Sequence, residues 1–70
     1  MTHAIFVKHL DRQGRSRPEI IAYDIEDEAL AGQLVSSIAS SFEEHGTYID
    51  TLTDWYSDSD GLHEIWAQPS

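Results

Sequence analysis

Between Asp27 and His45 the apolar residues Leu30, Leu34, Val35, Ile38 and Phe42 return at intervals of three and four, which places them on one face of a helix. The other face carries Gln33, Ser36, Ser37 and Ser40. Asp27 and Glu28 suit the positive N-terminal end of the helix dipole, and Gly46 is placed to end the helix in a left-handed conformation. Gly32 costs up to about 1 kcal/mol of helix propensity and marks a point where a strand can pack closely. This single amphipathic helix constrains everything else, because it can cover only one face of whatever sheet the remaining residues build.

Those remaining residues read as strands. AIFVKHL (4–10) and EIIAYDI (19–25) are rich in β-branched and aromatic side chains, and DRQGRSRP between them, with Gly14 and Pro18, is the long basic loop of a hairpin. Pro18 at the start of the second strand is tolerated at a sheet edge. TYIDTLTDWY (47–56) and GLHEIWA (61–67) supply a third and a fourth strand. The expected fold is α+β, β-β-α-β-β, one domain over residues 1–70, with the helix on one face of a four-stranded antiparallel sheet. A helical crossover returns the third strand parallel to the second, so inserting the first between them gives the spatial order 2-1-3-4. Strand 1 is apolar on both faces, Ile5 and Val7 on one and Ala4, Phe6 and Leu10 on the other, as a central strand can be. Tyr23, Tyr48, Trp55, Tyr56 and Trp66 add more aromatic surface than one helix covers. A second apolar surface, meeting solvent or another molecule, is expected.

Charge divides the chain. Its 70 residues hold 13 acids against 4 bases, a net of −9. Lys8, Arg12, Arg15 and Arg17 all fall in the first 17 residues beside one acid, Asp11, whereas residues 18 to 70 hold the other 12 acids and no Lys or Arg. The expected molecule has a basic tip and an acidic body that repels nucleic-acid phosphate and attracts basic protein surfaces. The same acidity also serves solubility or a salty cytoplasm. With no cysteine, a disulfide framework and Cys-ligated zinc are excluded, and a reducing cytoplasmic setting fits. A chain this short buries only about 60% of its unfolded surface, so partners or a second copy matter to its stability. MTHAIFVKHLDRQ lacks a basic region followed by an uncharged apolar run, and no segment approaches the ~20 apolar residues of a membrane span.

The chemical motifs are few. DSDG, residues 58 to 61, resembles the start of a calcium loop, but that alignment puts Tyr56 and Ala67 where the anchoring carboxylates belong. Asp60-Gly61 between two strand-like runs is instead a hairpin turn. His3 and His9 share a face of strand 1 roughly 20 Å apart at ~3.3 Å per residue, too far to share a metal ion. His63 approaches either only through a register the sequence does not specify. Ser36, Ser37, Ser40 and Ser41 belong to the polar side of the helix, no serine sits in a G-x-S-x-G turn, and no Gly-rich phosphate loop exists. No enzyme activity, metal or cofactor is expected.

A strand AIFVKHL, a return through EIIAYDI, a helix ending EEHG and a hairpin around SDSDG give a chain that resembles the small phage-encoded anti-CRISPR proteins in size, element order and charge. The resemblance implies inhibition by occupying a basic nucleic-acid-binding surface of an effector complex, with Asp and Glu standing in for phosphates. The residues expected to carry such a contact are Asp50, Asp54, Asp58, Asp60 and Glu64 of the C-terminal hairpin, with Trp55, Tyr56 and Trp66 as anchors. The fourth strand, short and expected at an edge, is the preferred contact. Two other readings stay open. One is a homodimerising domain that closes an open sheet face or edge on a second copy; the other is a weak nucleic-acid-contacting module using Arg12, Arg15 and Arg17.

Overall fold

The computed structural model describes residues 1–10, 17–51 and 53–69. In chain order the elements are β1 (His3–Leu10), β2 (Pro18–Ile25), α1 (Glu28–Ser40), β3 (Glu44–Thr47), β4 (Asp54–Asp58) and β5 (Gly61–Pro69). They form one five-stranded sheet of order β2-β1-β5-β4-β3, antiparallel at every pairing, with the helix on one face. The α+β class is as expected. The four-stranded sheet of order 2-1-3-4 is not what forms.

The departure has two physical causes. First, the run 47–56 is not one strand: β3 ends at Thr47, a turn follows at Ile49–Thr51, and β4 begins at Asp54. Second, the partner of β1 is the last strand, paired with it over eight residues from His3↔Pro69 to Leu10↔Leu62. β5, expected as a short edge strand, is therefore central and, at nine residues, the longest in the sheet. The crossover rule still holds. β3 runs in the same direction as β2, but three strands lie between them and not one.

Helix length explains how one crossover spans so many strands. Thirteen residues rise about 20 Å, and the four inter-strand steps from β2 to β3 amount to about 19 Å. The helix accordingly touches all five strands. Asp27 caps its N-terminus by accepting a hydrogen bond from the Ala29 N–H at 2.9 Å. Its end is earlier than His45: Ser41 caps it in a right-handed conformation, with its hydroxyl donating to the Ile38 carbonyl at 2.6 Å. Gly46 is not a helix terminator. It lies in β3, where an added Cβ would stand 2.9 Å from the Trp55 ring.

The core is thin. Ile5, Val35, Ala39, Tyr56 and Ile65 form the buried cluster, with Val7, Ile25, Ile38 and Phe42 packed against it. The side chains that face the sheet most directly are Ala31, Val35 and Ala39, small enough to let the helix approach closely, so the buried stripe is rotated from the one expected. Val35, Ile38 and Phe42 pack inward, whereas Leu30 and Leu34 are 46% and 37% exposed. Pro18 opens β2 at a sheet edge, as expected. Among the described residues no helix is long and apolar enough to cross a membrane.

Candidate functional site

Strand pairing divides the residues of the C-terminal hairpin between two faces. β4 and β5 meet at Trp55↔Glu64 and Tyr56↔His63, and successive side chains alternate sides. Asp54, Tyr56 and Asp58 lie on the helix side with Ile65; Trp55, Glu64 and Trp66 lie on the side no helix covers. The eight hairpin residues expected to act together are thus not one patch. Asp50 is exposed in the turn after β3 and Asp60 in the turn between β4 and β5.

Tyr56 is buried. Phe42, just past the helix, stacks on it at 4.1 Å between ring centroids, and the His63 ring stacks on it from β5 at 4.9 Å. It is a core residue and cannot serve as a surface anchor. Asp54 is committed locally as well: it accepts a 2.8 Å hydrogen bond from the Thr47 hydroxyl, tying β3 to β4. Asp58 accepts from the Asp60 backbone N–H at 2.9 Å and meets His63 Nε2 at 3.0 Å. The DSDG stretch is a hairpin turn, with Gly61 at φ 122°.

The face without a helix has an apolar centre. The Phe6 and Trp66 rings, directly opposite on β1 and β5, stack with centroids 5.8 Å apart and planes 13° from parallel. Trp66 donates its indole N–H to Gln68 at 3.0 Å, and Ile20 flanks Phe6 from β2. Leu10 and Leu62 form a further pair, and Trp55 lies over Gly46. Only glycine leaves room for that ring. Lys8 stands opposite Glu64 across β1 and β5, with Trp55 on the other flank of Glu64. Tyr48 approaches the same carboxylate; burial, then the Glu64 charge and the hydrogen bond to it, push the Tyr48 phenol up.

Three of the acids share one region. Glu43, Glu44 and Asp58 surround a depression with Phe42, Ser57 and Ser59, so the helix-exit acids and the hairpin tip belong to one region. Glu43 and Glu44 precede the β4–β5 hairpin in the chain, with the rest of β3 and the turn after it in between. Pairing of Glu44 with Ser57 joins them.

The histidines also move from expectation. His3 and His9 are separate, but β1–β5 register puts His9 directly opposite His63, with ring centroids 4.7 Å apart. Among the described residues no group of three or more His, Cys, Asp or Glu side chains is placed to hold a metal ion. Of the basic loop, Arg12 and Arg15 lie outside the described residues, and Arg17 is exposed ahead of β2.

Phe6, Tyr48 and Gly46 were not singled out as site residues in the sequence. Their roles follow from cross-strand register, for which the chain carries no local signal. The fold and site define a small α+β domain with an antiparallel sheet covered on one face. Comparison with protein-family models, with curated proteins and with solved structures gives no match.

Proposed function

We propose that this chain is a non-enzymatic binding protein that docks onto a basic surface of a larger protein and inhibits it by covering that surface. The helix-free face and the acidic region divide the work. Phe6, Trp66 and Trp55 anchor on apolar surface, while Glu43, Glu44, Asp58 and Asp60 meet the partner's Lys and Arg side chains. The observation that carries this reading is the stacked Phe6–Trp66 pair on a sheet face that, among the described residues, the helix does not cover. The anti-CRISPR-like reading is the specific form of it, in which the basic surface is one that otherwise binds nucleic acid and carboxylates take the place of phosphates. A net charge of −9 disfavours direct nucleic-acid binding and speeds encounter with a basic protein.

The test is capture from cell extract, followed by titration with the captured protein in purified form. Affinity is expected to fall as salt rises, because exposed charges are screened over about 8 Å at physiological ionic strength. Trp66→Ser is expected to weaken binding at least about tenfold while the variant stays folded by circular dichroism, as an anchor does. Glu43→Gln with Glu44→Gln is expected to slow association. Full binding by both variants, or affinity indifferent to salt, ends this reading.

A further inference from the structure

The two halves of the helix meet the sheet differently. α1 enters beside Ile25, at the end of the sheet where His3 pairs with Pro69, and leaves before Glu44, at the end where Ser57 pairs with Leu62. The helix therefore crosses the strands obliquely and leaves one corner of the sheet thinly covered. Toward its C-terminal end Phe42 fills the space above Tyr56. Toward its N-terminal end a cleft of about 500 Å³ lies between α1, the start of β4 and the second half of β5. Glu28, Gly32 and Ser36, aligned on one flank at intervals of four residues, form the helix wall. Asp54 stands on the other side, and Val35, Ile65 and Ala67 line the bottom.

We infer that this cleft binds a small organic ammonium ion, its N–H groups donating to Asp54 and its apolar stem lying across Gly32 onto Val35 and Ala67. Three observations carry the inference. First, Gly32 keeps the cleft open. A Cβ added there meets nothing within 4 Å, so the close strand packing expected of this glycine is not what it serves. It costs up to about 1 kcal/mol of helix propensity and forgoes the burial that a longer side chain would gain, and what it retains is the volume of the cleft. Second, the size falls within the roughly 300–1,000 Å³ of ligand pockets, and an apolar bottom beneath a few polar groups is their usual form. Third, the charge is complementary to a cation. The lining carries Glu28 and Asp54 against a single imidazole, His3, whereas Lys8 and Arg17 belong to the opposite end of the β1–β2 pair. Asp54 also has capacity to accept. Its Oδ1 takes the Thr47 hydroxyl at 2.8 Å, but its Oδ2 meets the Ser36 hydroxyl at 3.5 Å, the long limit of a hydrogen bond. An ammonium group that displaces this contact forms a shorter, charge-assisted bond.

Titration of the isotope-labelled chain with phenethylammonium, read by amide chemical shifts, tests this, with hydrocinnamate as the anion of matching shape. Saturable shifts are expected at Gly32, Asp54 and Ala67 with a dissociation constant on the order of 1 mM, and hydrocinnamate is expected to cause none there. Asp54→Asn, which keeps an acceptor for Thr47, is expected to weaken binding at least about fivefold. Glu28→Gln, at the exposed mouth, is expected to weaken it about twofold. Gly32→Leu fills the cleft with its own side chain and is expected to abolish the shifts while raising Tm, which separates lost binding from lost folding. Absence of saturable shifts at about tenfold that concentration overturns the inference. So does equal binding of hydrocinnamate, or wild-type binding by Gly32→Leu or by Asp54→Asn. The cleft is on the helix side of the sheet, so none of these results bears on capture of a partner through Trp66.

Discussion

His9 and His63 face each other across β1 and β5, and His63 in turn reaches Asp58 on β4 at 3.0 Å. Three neighbouring strands are thereby tied at the hairpin end by side chains on the helix side of the sheet. The row continues through Tyr56 to His45, whose Nδ1 lies 2.8 Å from the Phe42 carbonyl.

The carboxylate in this row has a definite response to acid. Burial raises the Asp58 carboxyl, but the hydrogen bonds from His63 and from the Asp60 and Gly61 backbone, with the His63 charge, outweigh it and hold the group below its ordinary value. A group depressed in the folded state adds stability above its unfolded value of about 3.9, and that contribution is lost as pH falls through the folded value. Carbon-13 titration of Asp58 is expected to give a midpoint below about 3.9, moved upward in His63→Gln. A midpoint at or above the unfolded value contradicts the assignment.

Two glycines are expected to respond oppositely to alanine. At Gly46 the new methyl meets the Trp55 ring at 2.9 Å, and overpacking of this kind costs about 1–3 kcal/mol. At Gly32 nothing lies within 4 Å of the added carbon, so the helix gains about 0.5–1 kcal/mol from the better propensity of alanine. Urea denaturation of both variants checks the pair, and equal effects at the two sites contradict the packing described.

The helix start rests on one side chain. Asp27→Ala removes the acceptor for the Ala29 N–H and is expected to cost about 1 kcal/mol, whereas Asp27→Asn keeps an oxygen in place and costs little. Thermal melts of the two variants separate capping from a pure charge effect, under which Asn and Ala would behave alike.

This start was legible in the sequence because a cap is a local device: Asp27 and the apolar period after it lie within a few residues. The hairpin at Asp60-Gly61 and the edge position of Pro18 were legible for the same reason. The helix end was misplaced because Phe42 continues the helical spacing although it packs from beyond the cap, and because Gly46, a common terminator, serves here as room for Trp55. Strand order was misjudged on a different scale. Nothing near Phe6 in the chain indicates that its partner is Trp66, sixty residues away, and the competing arrangement with the 47–56 run beside β1 satisfies the same alternation. The site inherited that error: Trp66 was assigned to an edge, and Tyr56 and Glu64 to one surface, when only register decides which face each one takes.

The Phe6–Trp66 stack offers a last prediction, since it separates a side chain kept for stability from one kept for contact. Both rings are partly open to solvent, so their mutual attraction in the isolated chain is modest, and offset-stacked aromatic pairs contribute about 0.5–1.5 kcal/mol beyond their buried area. A double-mutant cycle with Phe6→Leu and Trp66→Leu, read by urea denaturation, is expected to return a coupling in that range. If the helix-free face is the docking surface, the same two changes weaken binding of the captured partner by more than they weaken folding, because the rings become fully desolvated only in the complex. Ile65→Val on the covered face provides the contrast: it is expected to cost about 0.5–1.5 kcal/mol of stability and to leave partner affinity unchanged. Equal losses of affinity from Ile65→Val and from Trp66→Leu would mean that binding follows overall stability, and the helix-free face would lose its claim to be the contact.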